Sequence, residues 1–254
     1  MPQGLLQVAA ALAERLTADA RLVVSTGAGM SRESGIPTFR GAEGIWRTHR
    51  AEDVATPEAF RADPKLFWEF NDHLRQLVHR ASPNAGHLAL AALQRTLAPG
   101  VAVRVITQNI DRLHEAAGST RVSHLHGDIL RVVCPHCGFA DDDFPVPAPK
   151  LPPTCACGRL LRPDIVLFGE ALPERELDEA FGLAETCDAM LVVGTSVNVQ
   201  PAASLPFVAH EHGALVVEIN PEATILTRVA AHSLRGTAAD ILPPLVAALI
   251  AAGE

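Results

Sequence analysis

Residues 21–41 read RLVVSTGAGMSRESGIPTFRG, and the first half of that stretch decides the fold. Arg21–Ser25 is a short apolar run rich in valine that passes straight into Thr26-Gly27-Ala28-Gly29. A strand that stops on glycines ahead of a helix lets backbone approach a pyrophosphate and offers it N–H groups and a positive dipole. The motif is incomplete, because Arg32 stands where a third glycine of G-x-G-x-x-G would fall, so a tight turn with no ligand stays open. The loop that follows carries Phe39 and Arg40. A hydride-transferring enzyme has no evident need for it, whereas an enzyme that must strain a nicotinamide and shield its ribose would use one.

Three further runs repeat the pattern. Val101–Thr107 ends at Gln108-Asn109-Ile110-Asp111, Ala189–Val193 at Gly194-Thr195-Ser196, and Ala214–Ile219 at Asn220-Pro221. Each run is apolar on both faces, as strands of a covered parallel sheet are. Helical stretches such as Gly86–Leu97 and Glu174–Glu185 lie between them, which predicts an α/β fold with a Rossmann-like, doubly wound parallel sheet. Ligands in such sheets sit beyond the carboxyl ends of the strands, where all of these polar motifs begin. Two regions break the alternation: residues 41–82, helical and aromatic-rich, and residues 131–162, with the cysteines and a proline-rich stretch. We read them as a small domain inserted into an NAD-type domain made of residues 1–40, 83–130 and 163–254. Leu5, Leu6, Ala9, Leu12, Ala13 and Leu16 predict an amphipathic N-terminal helix, and residues 238–252 a closing one.

Cys134-Pro135-His136-Cys137 and Cys155-Ala156-Cys157 form two close pairs. Such pairs on turns suit a closed tetrahedral zinc site with four cysteine ligands, structural because no position is left for an activated water. Cys187 reads as a small buried hydrophobe. With 21 Lys and Arg against 29 Asp and Glu, the net charge of −8 argues against nucleic acid as a partner. No apolar run is long enough to span a membrane, and the N-terminus lacks the basic start of a signal peptide. A cytoplasmic, monomeric protein is expected.

Single residues are more ambiguous. His124 and His126 flank Leu125, and on a strand both would point the same way, so spacing does not choose between them as a general base. Asn109 and Asp111 suit either a ligand or a helix cap.

Taken together, the segments resemble the sirtuin family. The matching pieces run in order: GAGMSRESGIPTFRG (27–41), TQNIDRLHEAAG (107–118), HLHGD (124–128), the cysteine pairs, LRPDIVLFGE (161–170), GTSVNVQPAA (194–203) and EINPE (218–222). The resemblance implies an NAD-consuming protein-lysine deacylase that yields nicotinamide and O-acyl-ADP-ribose. It places Gly27, Ala28, Gly29, Ser31, Gly194, Thr195 and Ser196 toward the NAD phosphates, and Asn220, Pro221, Glu222 and Ala238 at the adenosine end. Gln108, Asn109, Ile110 and Asp111 surround the nicotinamide ribose, with Ile36, Pro37, Phe39, Arg40 and Trp46 on the loop side. His126 becomes the general base, with Asn109 beside it as a catalytic residue. The acyl-lysine peptide adds as a strand between Val166-Leu167-Phe168-Gly169-Glu170 and Val197-Asn198-Val199. Family members that favour succinyl- or malonyl-lysine carry a Tyr-x-x-Arg pair. Here the matching register supplies Phe70 and His73, and the chain has no tyrosine, so desuccinylation is expected to be weak. A Rossmann oxidoreductase, a mono-ADP-ribosyltransferase and a nucleic-acid-binding zinc module are the alternatives.

Overall fold

In a computed structural model, residues 3–38, 44–45, 50–97 and 100–253 are described. Six parallel strands, β1 (Arg21–Thr26), β2 (Ala102–Thr107), β3 (Val122–His124), β7 (Ala189–Val193), β8 (Leu215–Ile219) and β9 (His232–Leu234), form one sheet in the order β3-β2-β1-β7-β8-β9. Alternation assigns the two faces. Leu22 and Val24 of β1 join Leu191 and Val193 in a core under α1 (Gln3–Arg15), α5 (Ala85–Leu97) and α9 (Ala238–Gly253). Val23, Ile106, Met190, Val192 and Val216 face the other way, against α7 (Glu174–Thr186) and α8 (Leu205–Glu211). Burial on both sides is why these strands read as unbroken apolar runs. Strand order reverses between β1 and β7, and such a switch point opens a crevice at the carboxyl ends.

The remaining elements pack at that end. Helices α2 (Ala51–Val54), α3 (Pro57–Ala62) and α4 (Pro64–Arg80) precede α5, and a short α6 (Leu113–Ala116) follows β2. Strands β4 (Gly127–Val133), β5 (Ala140–Asp141) and β6 (Arg162–Ile165) form a separate antiparallel sheet, ordered β5-β4-β6. Asp63 caps α4, its carboxylate accepting from the Leu66 N–H, with Pro64 in the first turn where its missing N–H costs nothing. Phe67 and Trp68 of α4 bury completely among Val132, Cys134, Cys155 and Leu161 of the cysteine-bearing sheet.

Nothing in the sequence singles out the buried Arg75. It donates to the carbonyls of Ile129 (3.2 Å), Phe144 (2.9 Å) and Pro145 (3.1 Å) and pairs with Asp72 at 2.9 Å. The proline-rich stretch forms few regular backbone bonds of its own, so this one guanidinium answers its carbonyls and ties it to α4.

One local expectation fails. The glycine turn does not open an α-helix: residues Ala28–Met30 and Arg32–Ser34 make two single 3-10 turns, and Thr38 is already past them. Gly35 at φ 86° and Pro37 stop any continuation. The long helix dipole expected beneath a pyrophosphate is therefore absent at this turn.

Candidate active site

A cavity of about 990 Å3 opens at the switch point, within the size range of ligand pockets. Its floor is built from two strand ends pressed together. Gly27 N donates to Val193 O at 3.0 Å and Gly29 N to Gly194 O at 2.8 Å. A Cβ on Gly27 would stand 2.8 Å from Thr195 Cβ, and one on Gly29 2.8 Å from the Gly194 backbone. Gly194 itself holds φ 61°. These glycines are thus required by the contact between the two turns, and the open backbone this leaves faces the cavity.

The stretch after β2 is held from below. Asn109 N donates to Thr107 Oγ1 at 3.0 Å, and Asn109 Nδ2 to Ser31 Oγ at 3.1 Å. The Ser31 hydroxyl in turn donates to Asp111 Oδ2 at 2.8 Å, and Asp111 Oδ1 accepts from Leu113 N at 3.0 Å. Because the serine proton goes to Asp111, Ser31 must accept from Asn109, which fixes the amide with Nδ2 inward. Burial pushes the Asp111 carboxyl above its ordinary 3.8, despite the bonds from Leu113 and Ser31. Ser31 and Asp111 are buried behind the cavity and do not line it; they orient Asn109, which does.

The two histidines that spacing left equivalent are separated by the structure. β3 ends at His124, and the chain turns before His126. His124 pairs with Glu115 at 2.7 Å and reaches the Asn109 carbonyl at 3.3 Å, outside the cavity. His126 lines the cavity, and its Nδ1 lies 2.8 Å from the Gln108 carbonyl. A carbonyl can only accept, so Nδ1 carries the proton and Nε2 keeps its lone pair. Burial holds the His126 pKa below 6.5, more than offsetting that bond, so the neutral base is the resting form near neutrality.

The opposite wall is the segment after β6. Val166 N donates to His126 O at 3.0 Å and Phe168 N to Ala55 O at 2.9 Å. Arg162 grips Glu170 in a two-bond fork of 2.6 and 2.8 Å, and Glu170 accepts from Leu167 N at 2.9 Å. The Glu170 carboxylate is thereby committed to shaping the segment. Val166, Leu167, Phe168, Gly169, Glu170, Asn198 and Val199 line the cavity, while the Val197 side chain turns into the core. Val197 holds φ 56°, a strained value for a β-branched residue.

Gly27, Ala28, Gly29, Gln108, Asn109, Ile110, Gly194, Thr195, Ser196, Asn220, Pro221, Glu222 and Ala238 also line this one cavity. Ile36 and Pro37 do not, and Phe39, Arg40 and Trp46 lie outside the described residues. The Phe70 and His73 register does not bring both side chains to the cavity. Phe70, Asn71 and Leu74 line the wall, and His73 is exposed on α4 away from it. At about 100° per residue, a face centred on residues 70, 71 and 74 leaves position 73 roughly 110° off its axis. Asn71 spends its amide N–H groups on the carbonyls of Phe67 (2.8 Å) and Val54 (3.3 Å). Arg32, Thr224, Ile225 and Arg228, which are not among the site residues expected from sequence, line it too.

The thiol sulfurs of Cys134, Cys137, Cys155 and Cys157 all lie within 4.8 Å of one another, with two pairs at 3.6 Å. Tetrahedral zinc with Zn–S bonds of about 2.3 Å needs S···S separations of about 3.8 Å. The four sulfurs fit one zinc ion. His136 is not among them.

The Sir2 family model matches residues 27–201. An "NAD-dependent protein deacylase 1" from Caldanaerobacter subterraneus subsp. tengcongensis is 51% identical over 220 residues, covering 86% of this chain and 90% of the relative. An "NAD-dependent protein deacylase" from Pyrococcus furiosus is 50% identical, covering 88% and 91%. A solved Sir2 homolog–NAD complex superposes with TM-score 0.87 at 44% identity, covering 96% and 95%. Sir2Af2 bound to a myristoylated histone peptide gives 0.76 at 34%, covering 98% and 97%. With the glycine turns, the His126 cleft and the four-cysteine cluster in one chain, this protein belongs to the Sir2 family.

Proposed function

We propose that the protein is an NAD-dependent protein-lysine deacylase, and that the tautomer of His126 is the observation that carries the reading. A histidine whose Nδ1–H is spent on the Gln108 carbonyl, and whose Nε2 is free in the cleft, is arranged as a general base. Bound NAD supplies a ribose carbon that an acyl oxygen can attack as nicotinamide departs. The residues have separate tasks around it. The Gly27–Gly29 and Gly194–Ser196 turns take the phosphates, and Asn109, oriented by Ser31 and Asp111, holds the nicotinamide ribose. His126 then removes a ribose hydroxyl proton so that this oxygen can take the acyl group.

The acyl-lysine peptide lies along Val166–Glu170 and Val197–Val199 through backbone bonds, which leaves flanking sequence weakly selected. The acyl end meets Phe70, Asn71 and Leu74. None offers a cation, so acetyl or longer apolar groups are preferred over succinyl, whose carboxylate would be desolvated without a partner.

We further take residues 41–82 with 131–162 as a small domain apart from the NAD-binding remainder, because their aromatic cores are separate from those flanking the parallel sheet. Every residue assigned above comes from one chain, so a monomer suffices. Among the described residues no helix is long and apolar enough to cross a membrane. A reducing cytoplasm would keep the four thiols available to zinc.

The test is a mass-resolved assay with NAD and matched acetyl- and succinyl-lysine peptides, comparing wild type with His126→Ala. Nicotinamide and O-acetyl-ADP-ribose should appear with the wild type only, and succinyl turnover should be at least about tenfold lower, the size of one unpaired charge contact. ADP-ribose left covalently on protein, with no deacylated peptide, would replace this reading with ADP-ribosyl transfer.

A further inference from the structure

Strand β8 carries one residue that its place in the fold does not explain. Glu218 stands between Val217 and Ile219 in the interior of the parallel sheet and is 1% exposed. A hydrophobic residue would hold the strand at less cost, because a buried carboxylate must recover its lost hydration from partners. Glu218 recovers it from four side chains: Thr224 Oγ1 at 2.5 Å, Thr227 Oγ1 at 2.7 Å, Ser233 Oγ at 3.0 Å and Arg235 Nη1 at 2.9 Å. Burial works against the charge, and these donors outweigh it, holding the carboxyl below its ordinary 4.5.

Two of the donors sit on the loop that leaves β8. Thr224 Oγ1 also accepts from Leu226 N at 3.1 Å, and Thr227 Oγ1 from Thr224 N at 2.9 Å. Arg235 reaches past the carboxylate to Glu222 O at 2.9 Å, Asn220 O at 3.4 Å and Thr227 Oγ1 at 2.9 Å. Loop residues 220–228 therefore hang on one ion pair. That loop forms a wall of the cavity through Asn220, Glu222, Thr224, Ile225 and Arg228, and Asn220 Nδ2 donates back to Thr195 O at 2.7 Å.

We propose that Glu218 and Arg235 are a positioning pair for NAD: they set loop 220–228 as the adenosine-side wall of the cleft and so determine affinity for the ADP-ribose part. This rests on the NAD reading above. Neither residue lines the cavity, so neither acts on the reacting atoms.

The experiment is direct calorimetric binding of ADP-ribose, with no turnover involved, to wild type, Glu218→Gln and Arg235→Ala. It is combined with KM for NAD, KM for peptide and kcat. Glutamine keeps the size of the side chain and loses the charge and half of the acceptor capacity. ADP-ribose should bind each variant about tenfold or more weakly, the equivalent of one charge-assisted hydrogen bond. KM for NAD should rise in step, while kcat at saturating NAD and KM for peptide stay within about twofold. A role confined to folding would lower the melting temperature and leave the ADP-ribose affinity of the folded protein alone. If Glu218→Gln does not fold, Arg235→Ala, whose side chain is 36% exposed, carries the test. Wild-type affinity in the variants, or a fall in kcat with KM for NAD unchanged, overturns the pairing. Failure of the wild type itself to bind ADP-ribose overturns instead the NAD reading on which it stands.

Discussion

His126 can serve as a base because of what its other nitrogen does. The Gln108 carbonyl fixes the proton on Nδ1, and burial keeps the ring neutral below 6.5. The working form is unprotonated, so activity is lost as pH falls through the lowered value and not above it. The acid limb of kcat/KM should have its midpoint below 6.5, with a slope of one proton. A midpoint above 6.5 would show that the imidazolium is favoured in the cleft and that burial does not outweigh the Gln108 bond. The adjacent His124 behaves oppositely. Burial disfavours its charge, but Glu115 at 2.7 Å and the Asn109 carbonyl outweigh that and raise its pKa. Two histidines of similar spacing thus shift in opposite directions from 6.5, because burial is outweighed at His124 by a carboxylate and at His126 is opposed only by a carbonyl. Sequence does not display that difference, since Glu115 comes from a different element.

At the scale of elements, the strands of the sheet centre are legible in the sequence because burial on both faces leaves a simple mark, as in Ala189–Val193. The edge strand β9 is not, since His232-Ser233-Leu234 is short and polar. Glu218 is hidden for a related reason: a single charge in an apolar run looks like noise until its partners fold around it. The glycine turn lies where its motif puts it, but no helix follows, because Gly35 and Pro37 act as breakers inside that motif. On α4, Phe70 lines the cavity and His73 does not, since a Tyr-x-x-Arg register carries no information on which face meets the cleft. The cysteine pairs are readable because ligand spacing is local on each turn. Their sheet also offers an optical test. Trp68 is fully buried, donates to Leu161 O at 2.8 Å, and packs with Cys134, Cys155 and Leu167. The chain has only two tryptophans, so removing zinc with a chelator should shift much of the emission to the red. Deacylation should be lost with it, because Leu167 belongs to the peptide segment. Unchanged emission and activity after complete zinc loss would show that the knot does not support the cleft.

For the molecule as a whole, two buried histidines predict how it responds to acid. His87 and His114 are fully buried, with rings 5.0 Å apart, and His114 Nε2 meets Thr26 Oγ1 at 3.1 Å beneath the glycine turn. Burial, joined in His114 by repulsion from His87, lowers their pKa values from 6.5 to about 4 and about 3. A folded-state value below the unfolded one means that the unfolded chain binds protons first. The stability these rings confer is complete above 6.5 and is lost as pH falls toward the folded values. At about 1.4 kcal/mol per pH unit for each group, the pair loses roughly 5 kcal/mol by pH 4.5, comparable with the whole stability of many domains. Of the other titrating groups, His126, also held below 6.5 by burial, adds to the loss in this window. His124, with its raised value, is already charged below 6.5 and adds nothing further there. Glu115, Glu170 and Glu218 lie below their ordinary 4.5 and lose their contribution only in stronger acid. Asp111 and Asp164, held above 3.8 mainly by burial, offset part of the loss as they take up protons. Urea midpoints should therefore fall steadily from pH 6.5 to 4.5 in the wild type. His114→Gln, less stable at neutral pH, should show a shallower slope over the same interval, since one of these histidine titrations is gone. Equal slopes in the two proteins would mean that the imidazoles are hydrated in solution, and that the wall behind Thr26 and Asn109 is looser than these contacts describe.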